Sequence, residues 1–188
     1  MKIVALSGSV VGSKTRTIMN EVVRQIQTYD ESTNVTLIDL AEHNIQYSDG
    51  RQFIDYTGDT GYVARTIMDA DALIIGTPIF QASIPGALKN IFDLLPVNAF
   101  ENKVVSIVVT AGSSKHYLVA EQQLKPILSY MKAQLVQTIV FAEEKDFQQK
   151  QLVNDDVEFR IGRLVEDTHL LTRTFKKIQE ETEDAYGF

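Results

Sequence analysis

The sequence predicts an α/β fold in which five short parallel strands form a doubly wound sheet with helices on both faces. Three observations carry that expectation. Short apolar runs alternate along the chain with segments whose apolar residues recur at helical spacing. The two central runs, Ala72-Leu73-Ile74-Ile75-Gly76 and Val104-Val105-Ser106-Ile107-Val108-Val109, are apolar on both faces, as strands buried between two helical layers are. Finally, 188 residues with 44% hydrophobic and 23% charged content suffice for one domain with a full core.

Taken in order, Ile3-Val4-Ala5-Leu6 reads as strand one, stopped by Ser7-Gly8-Ser9. The stretch from Ser13 to about Thr28 reads as a helix, with Ile18, Val22, Val23 and Ile26 on one face. Val35 to Asp39 is strand two. Residues 41–62 are polar, carry Gly50, Gly58 and Gly61, show no sustained period and read as a long loop. Tyr62 to Ala70 is expected as a short helix leading into strand three, which Pro78 ends. Helical spacing resumes at Ala87, Leu88, Ile91 and Leu95; strand four follows at 104–109, then a helix over 116–131 containing Pro126. Leu135 to Phe141 is strand five, and apolar residues from Val153 to Ile178 suit one long amphipathic helix. The acidic run Glu180-Glu181-Thr182-Glu183-Asp184 predicts a solvated tail over about 180–188. No repeat, linker or boundary divides the chain, so residues 1–188 are expected as a single domain. For five such strands the expected order is 2-1-3-4-5, the flavodoxin-like arrangement.

Composition narrows the function classes. Eighteen basic against 25 acidic residues give a net charge of -7, which excludes a global attraction to nucleic acid or to an anionic membrane. The absence of cysteine excludes disulfides, thiolate metal sites and cysteine nucleophiles. No apolar run approaches the roughly 20 residues needed to span a bilayer, and the first segment is too short for a signal-peptide core. A cytoplasmic protein is expected.

In a doubly wound sheet, ligands bind beyond the carboxyl ends of the strands near the reversal of strand order, so the loops after strands one, three and four hold the chemistry. The first, Ser7-Gly8-Ser9-Val10-Val11-Gly12-Ser13-Lys14-Thr15, offers hydroxyls, one lysine and the amides of a helix N-terminus, the elements of a phosphate cradle. Gly8 and Lys14-Thr15 have the offsets of the nucleotide-triphosphate loop G-x-x-x-x-G-K-[ST], but Ser13 stands at its second glycine. The dinucleotide pattern G-x-G-x-x-G fails at Ser9-Val10. A terminal monophosphate such as that of FMN suits the loop; a triphosphate, or a loop in which Ser13 simply caps the helix, are the alternatives. The second loop puts Ile79 and Phe80 after a buried strand, stiffened by Pro78 and Pro85, and so offers a shelf for a flat ring. The third, Thr110-Ala111-Gly112-Ser113-Ser114-Lys115-His116, presents amides and hydroxyls for a ring's polar edge.

On these three loops the chain resembles the NADPH-dependent FMN reductase family, which includes sulfonate-starvation flavin reductases, quinone and azo-dye reductases and chromate reductases. The resemblance covers about residues 2 to 141. Its most specific part is Thr77-Pro78-Ile79-Phe80-Gln81-Ala82-Ser83-Ile84-Pro85-Gly86-Ala87-Leu88-Lys89-Asn90, similar to the family's G-[ST]-P-x-Y-x-x-S-x-P-x-x-L-K-N, with Phe80 in place of the commoner tyrosine. The stretch from Thr110 to Leu128 is most similar to the sulfonate-type flavin reductases. The resemblance implies that Ser9, Ser13, Lys14 and Thr15 hold the FMN phosphate, and that Pro78, Ile79, Phe80 and Gln81 hold the ribityl chain and ring. It further implies that Gly112 and Ser113 meet the pyrimidine edge, and that Ser83 faces the ring or supports the loop. Two departures stand out: Val11 occupies the place of the family's usual arginine, leaving Lys14 as the cation, and Glu121-Gln122 stands where flavin-releasing members often carry a tyrosine.

The implied activity is hydride transfer from NADPH to FMN and onward to a small-molecule electron acceptor: free flavin, a quinone, an azo compound or a metal oxyanion. A homodimer or homotetramer is implied with it. Such chemistry lives on the cofactor and needs no acid/base dyad. His43, His116 and His169 have no metal-ligand spacing and read as non-catalytic, His116 being the one beside the third loop. Arg16 and Arg51, with Phe53, Tyr56 and Tyr62, are candidates to meet NADPH. Two rival readings are an FMN-binding electron carrier without direct NADPH oxidation, and a small NTPase using Lys14 and Thr15 with Asp39 on the metal.

Overall fold

A computed structural model of the chain describes residues 1–186. Strands β1 (Lys2–Ser7), β2 (Asn34–Asp39), β3 (Ala72–Pro78), β4 (Val104–Ala111) and β5 (Gln134–Glu143) form one parallel sheet in the order β2-β1-β3-β4-β5. This is the expected flavodoxin-like topology, with the reversal of strand order between β1 and β3.

The alternation of side chains along each strand sorts the core into two layers. Ile3 and Ala5 of β1 and Ala72 and Ile74 of β3 join Ile18, Met19, Val22 and Ile26 of helix α1 (Lys14–Tyr29) and Val157, Ile161, Leu164 and Val165 of helix α5 (Asp155–Tyr186) on one face. Val4, Leu6, Leu73 and Ile75 face the other way, onto helices α2 (Gly58–Met68), α3 (Gly86–Leu94) and α4 (Lys125–Tyr130). Every residue of β3 and β4 is buried, which is why both read as apolar on two faces. Ser106, the polar interruption in β4, is satisfied by the hydroxyl of Thr168 on α5 at 2.6 Å.

Several boundaries differ from those the sequence predicts, each because tertiary contacts decide them. Helix α2 begins at Gly58 rather than Tyr62, and the long polar segment before it is tied down by side chains from elsewhere. Asn90 of α3 donates to the Gln46 carbonyl and accepts from the Ser48 amide, both at 2.9 Å, while Tyr56 is buried with its hydroxyl on Asp49 at 2.7 Å. The helix expected over 116–131 is divided into a 3-10 turn (Ser114–His116), a π turn (Ala120–Leu124) and α4. A small antiparallel hairpin, β6 (Phe147–Gln148) with β7 (Gln151–Leu152), precedes α5. The acidic segment from 180 is not a separate tail: α5 continues through it to Tyr186, and residues 187–188 of the expected tail lie outside the described residues. Among the described residues no helix is long and apolar enough to cross a membrane.

Candidate active site

The loops after β1, β3 and β4 meet around one cavity of about 310 Å³ at the carboxyl end of the sheet, within the size range of small-molecule sites. Its wall is built from Val11, Gly12, Ser13, Lys14 and Thr15 of the first loop, Pro78, Ile79 and Phe80 of the second, and Thr110, Ala111 and Gly112 of the third. Backbone bonds lock the loops together: the Gly8 amide donates to the Gly76 carbonyl at 2.8 Å, and the Ile79 amide to the Thr110 carbonyl at 3.1 Å. The buried hydroxyls of Thr15 and Thr110 meet at 2.9 Å and join the first loop to the third.

One end of the cavity is built for an anion. Gly12, with φ +83°, turns the chain into α1 in a conformation that a side chain would oppose. Ser13 is the N-cap of α1 yet makes no side-chain capping bond, and no acidic residue stands in the first turn. The amides of that turn therefore lack the side-chain acceptor that usually satisfies them, and the positive end of the helix dipole opens beside Lys14 and Thr15. These residues fit a phosphate monoester. The Lys14 ammonium pairs with Glu144, beyond the end of β5, and both are substantially exposed.

The other end is apolar. Phe80 is 40% exposed, beside Ile79 and Pro78, a shelf on which a flat ring can lie. Phe80 and Ser83 close a tight turn through their own amides and carbonyls at 2.9 and 3.0 Å. The two central residues, Gln81 and Ala82, are both left-handed, with φ of 49° and 57°.

Seven of the eleven residues singled out from the sequence come together on this wall: Ser13, Lys14, Thr15, Pro78, Ile79, Phe80 and Gly112. The other four, Ser9, Gln81, Ser83 and Ser113, are not part of it. Ser9 is buried beneath the first loop, its hydroxyl donating to the Val11 carbonyl at 2.6 Å and so shaping the loop. Gln81 is exposed at the tip of the turn, and Ser83 donates to the Gln123 side chain. Ser113 is the N-cap of the short turn after β4. Thr110, which the sequence places in the third loop but not among the ligand-holding residues, also stands on this wall, its hydroxyl near the carboxyl end of β4.

Of the residues suggested for NADPH, Arg16, Arg51 and Tyr56 are already engaged. Arg16 bonds Asp39 at 2.7 Å and Glu42 at 2.8 Å, and Asp39 first, then Glu42, holds its guanidinium above its ordinary pKa. Arg51 lies over the Tyr56 ring and pairs with Asp49, whose carboxyl is pulled well below the usual range by Arg51 and then by the Tyr56 hydroxyl. Tyr56 is core rather than lid. The pairing of Asp39 with Arg16, away from the cavity wall, also removes the acid that an NTPase reading requires. Of the three histidines, His169 is buried between Val165 and Thr33, far from this chemistry in the fold.

The fold is flavodoxin-like, and the lining of the cavity at the carboxyl end of its sheet fits a phosphate-bearing, flat-ringed ligand. The description of a family, NADPH-dependent FMN reductase, matches residues 1–148, and the chain belongs to that family of NAD(P)H-dependent flavin reductases. It is 39% identical over 165 residues to an NAD(P)H-dependent FAD/FMN reductase of Geobacillus thermodenitrificans, covering 87% of this chain and 89% of the relative. An FMN-dependent NADPH-azoreductase of Staphylococcus haemolyticus is 29% identical over 123 residues, 60% of this chain and 61% of that one. Among solved structures, the apo form of NADH:FMN oxidoreductase (EMOB) superposes with a TM-score of 0.76 at 26% identity, over 90% of this chain and 88% of that one.

Proposed function

We propose that FMN binds in this cavity with its phosphate on the α1 N-terminus, and that the enzyme passes reducing equivalents from NAD(P)H to a second small-molecule acceptor. The observation that carries the proposal is the uncapped start of α1, with Lys14 and Thr15, opening on the same cavity that ends at exposed Phe80. FMN held there would supply the redox chemistry, as an acceptor of hydride and a donor of electrons.

The chain's own residues do the rest. The first-turn amides, the Ser13 and Thr15 hydroxyls and the Lys14 ammonium hold the phosphate and set the depth of the ligand. Pro78 and Ile79 line the ribityl path, and their rigidity lowers the ordering cost of binding. Phe80 meets the ring, while Gly112, with no side chain, lets the ring's polar edge approach the backbone after β4. The acceptor class is a free flavin, quinone, azo compound or metal oxyanion, each of which needs only an open approach to reduced flavin. The family resemblance also supports a homodimer or homotetramer, which light scattering reads directly.

The test is the visible spectrum of the protein with FMN under anaerobic conditions, before and after NADPH or NADH. Bleaching of protein-bound FMN without any partner protein supports the proposal. Bound FMN that neither nucleotide bleaches would instead assign the chain to electron carriage.

A further inference from the structure

The turn that carries Phe80 is held by a residue outside the three loops. Gln81 and Ala82 both occupy the left-handed region, φ 49° and 57°, where a Cβ is disfavoured and where Asn-Gly is the usual pair for such a turn. Neither residue is glycine, and both are exposed, so packing does not force them into this conformation. Besides its own Phe80–Ser83 backbone bonds, one side chain holds the turn. Gln123 donates from Nε2 to the Ala82 carbonyl at 3.0 Å and accepts the Ser83 hydroxyl proton on Oε1. It therefore grips two successive residues of the turn with both ends of its amide.

Gln123 stands in the π turn Ala120–Leu124, where the Lys125 amide reaches the Ala120 carbonyl five residues back instead of four. Such a turn inserts one residue into a helix and changes which side chains face a neighbour. Ala120, Leu124 and Leu128 stay buried along the inner face, and the inserted residue is accommodated while Gln123 reaches across to the turn after β3. Backbone held in a disfavoured region persists only where its surroundings over-determine it, and it concentrates at functional sites.

We propose that Gln123 is a positioning residue for flavin binding: presented by the π turn, its amide clamps the left-handed Gln81-Ala82 turn and so fixes Phe80 at the edge of the cavity. The inference rests on the FMN site proposed above. It predicts an effect on the ring end of the ligand alone, because the clamp does not touch the phosphate loop.

The experiment is a fluorescence titration of wild type, Gln123→Ala, Gln123→Glu, and Gln123→Ala combined with Ala82→Gly, each with FMN and with riboflavin. Losing both clamp bonds is expected to weaken both flavins roughly tenfold in Gln123→Ala. Gln123→Glu keeps the length and an acceptor but loses the amide donor, and weakens both in the same sense. Adding Ala82→Gly removes the steric objection to positive φ and restores several-fold of the affinity. A role for Gln123 in helix stability alone lowers the melting temperature and gives no rescue by a change on a different loop. Wild-type affinity in both single variants, or loss without rescue by Ala82→Gly, overturns the inference. Failure of the unmodified protein to bind either flavin overturns the FMN site itself, and is seen before any substitution is made.

Discussion

Lys14→Gln is expected to weaken FMN binding about tenfold and to leave riboflavin, which lacks the phosphate, unaffected. A charge-assisted hydrogen bond to a phosphate contributes about 1.5–3 kcal/mol. In the free protein the ammonium is not idle, because it pairs with Glu144 beyond the end of β5. Both side chains are substantially exposed, so that pair contributes at most about 1 kcal/mol, and its loss on binding offsets part of the gain. The net is about 1–2 kcal/mol, or roughly 5–30-fold in affinity. The same arithmetic makes Glu144 a competitor of the phosphate, so Glu144→Gln should tighten FMN by up to about fivefold. Quenching of flavin fluorescence measures both, with riboflavin as the internal control. Equal weakening of FMN and riboflavin by Lys14→Gln, or none for either, refutes the placement of the phosphate at α1.

Two further predictions concern the fold. Gly61→Ala puts a Cβ 2.1 Å from the Tyr56 carbonyl oxygen, a backbone atom, and should destabilise the protein by about 3 kcal/mol, read as a lower urea midpoint. His169 is buried, with Nδ1 donating to the Val165 carbonyl at 2.8 Å and Nε2 accepting from Thr33 at 3.1 Å, and burial pushes its pKa below the ordinary 6.5. Below about pH 6.5 the unfolded chain binds a proton that the folded one refuses, so this contribution to stability is complete at higher pH and declines as pH falls toward the folded pKa. His169→Gln should be less stable at pH 8 but show a flatter loss of melting temperature between pH 8 and pH 5; an unchanged slope would remove His169 from the account.

What the sequence made legible were features whose cause is local. Periodicity exposed β3 and β4 because both faces of each are buried, and glycine and hydroxyl content marked the loop before α1 because turns and phosphate cradles need those residues. The segment before α2 was harder, since its order depends on Asn90 and Thr60, which reach it from other elements, and on Tyr56, which folds back onto Asp49 within it. The motif ending in Leu88-Lys89-Asn90 thus marks a tether as well as a ligand loop, which no spacing rule separates. The π turn was hidden for a similar reason: apolar Ala120, Leu124 and Leu128 keep a helical period through it, and the clamp on the Phe80 turn emerges only from tertiary contact. Ser9 and Ser83 show the converse, hydroxyls that belong to the site's loops yet bond the Val11 carbonyl and the Gln123 side chain instead of facing the cavity.

The most direct test of the central claim is an FMN titration of Phe80→Asp beside the unmodified protein. Phe80 is 40% exposed and outside the core, so the melting temperature should hold while a carboxylate takes the place of the ring shelf. The account predicts retained folding with FMN binding lost; wild-type affinity in Phe80→Asp would contradict the assignment of this cavity to the flavin.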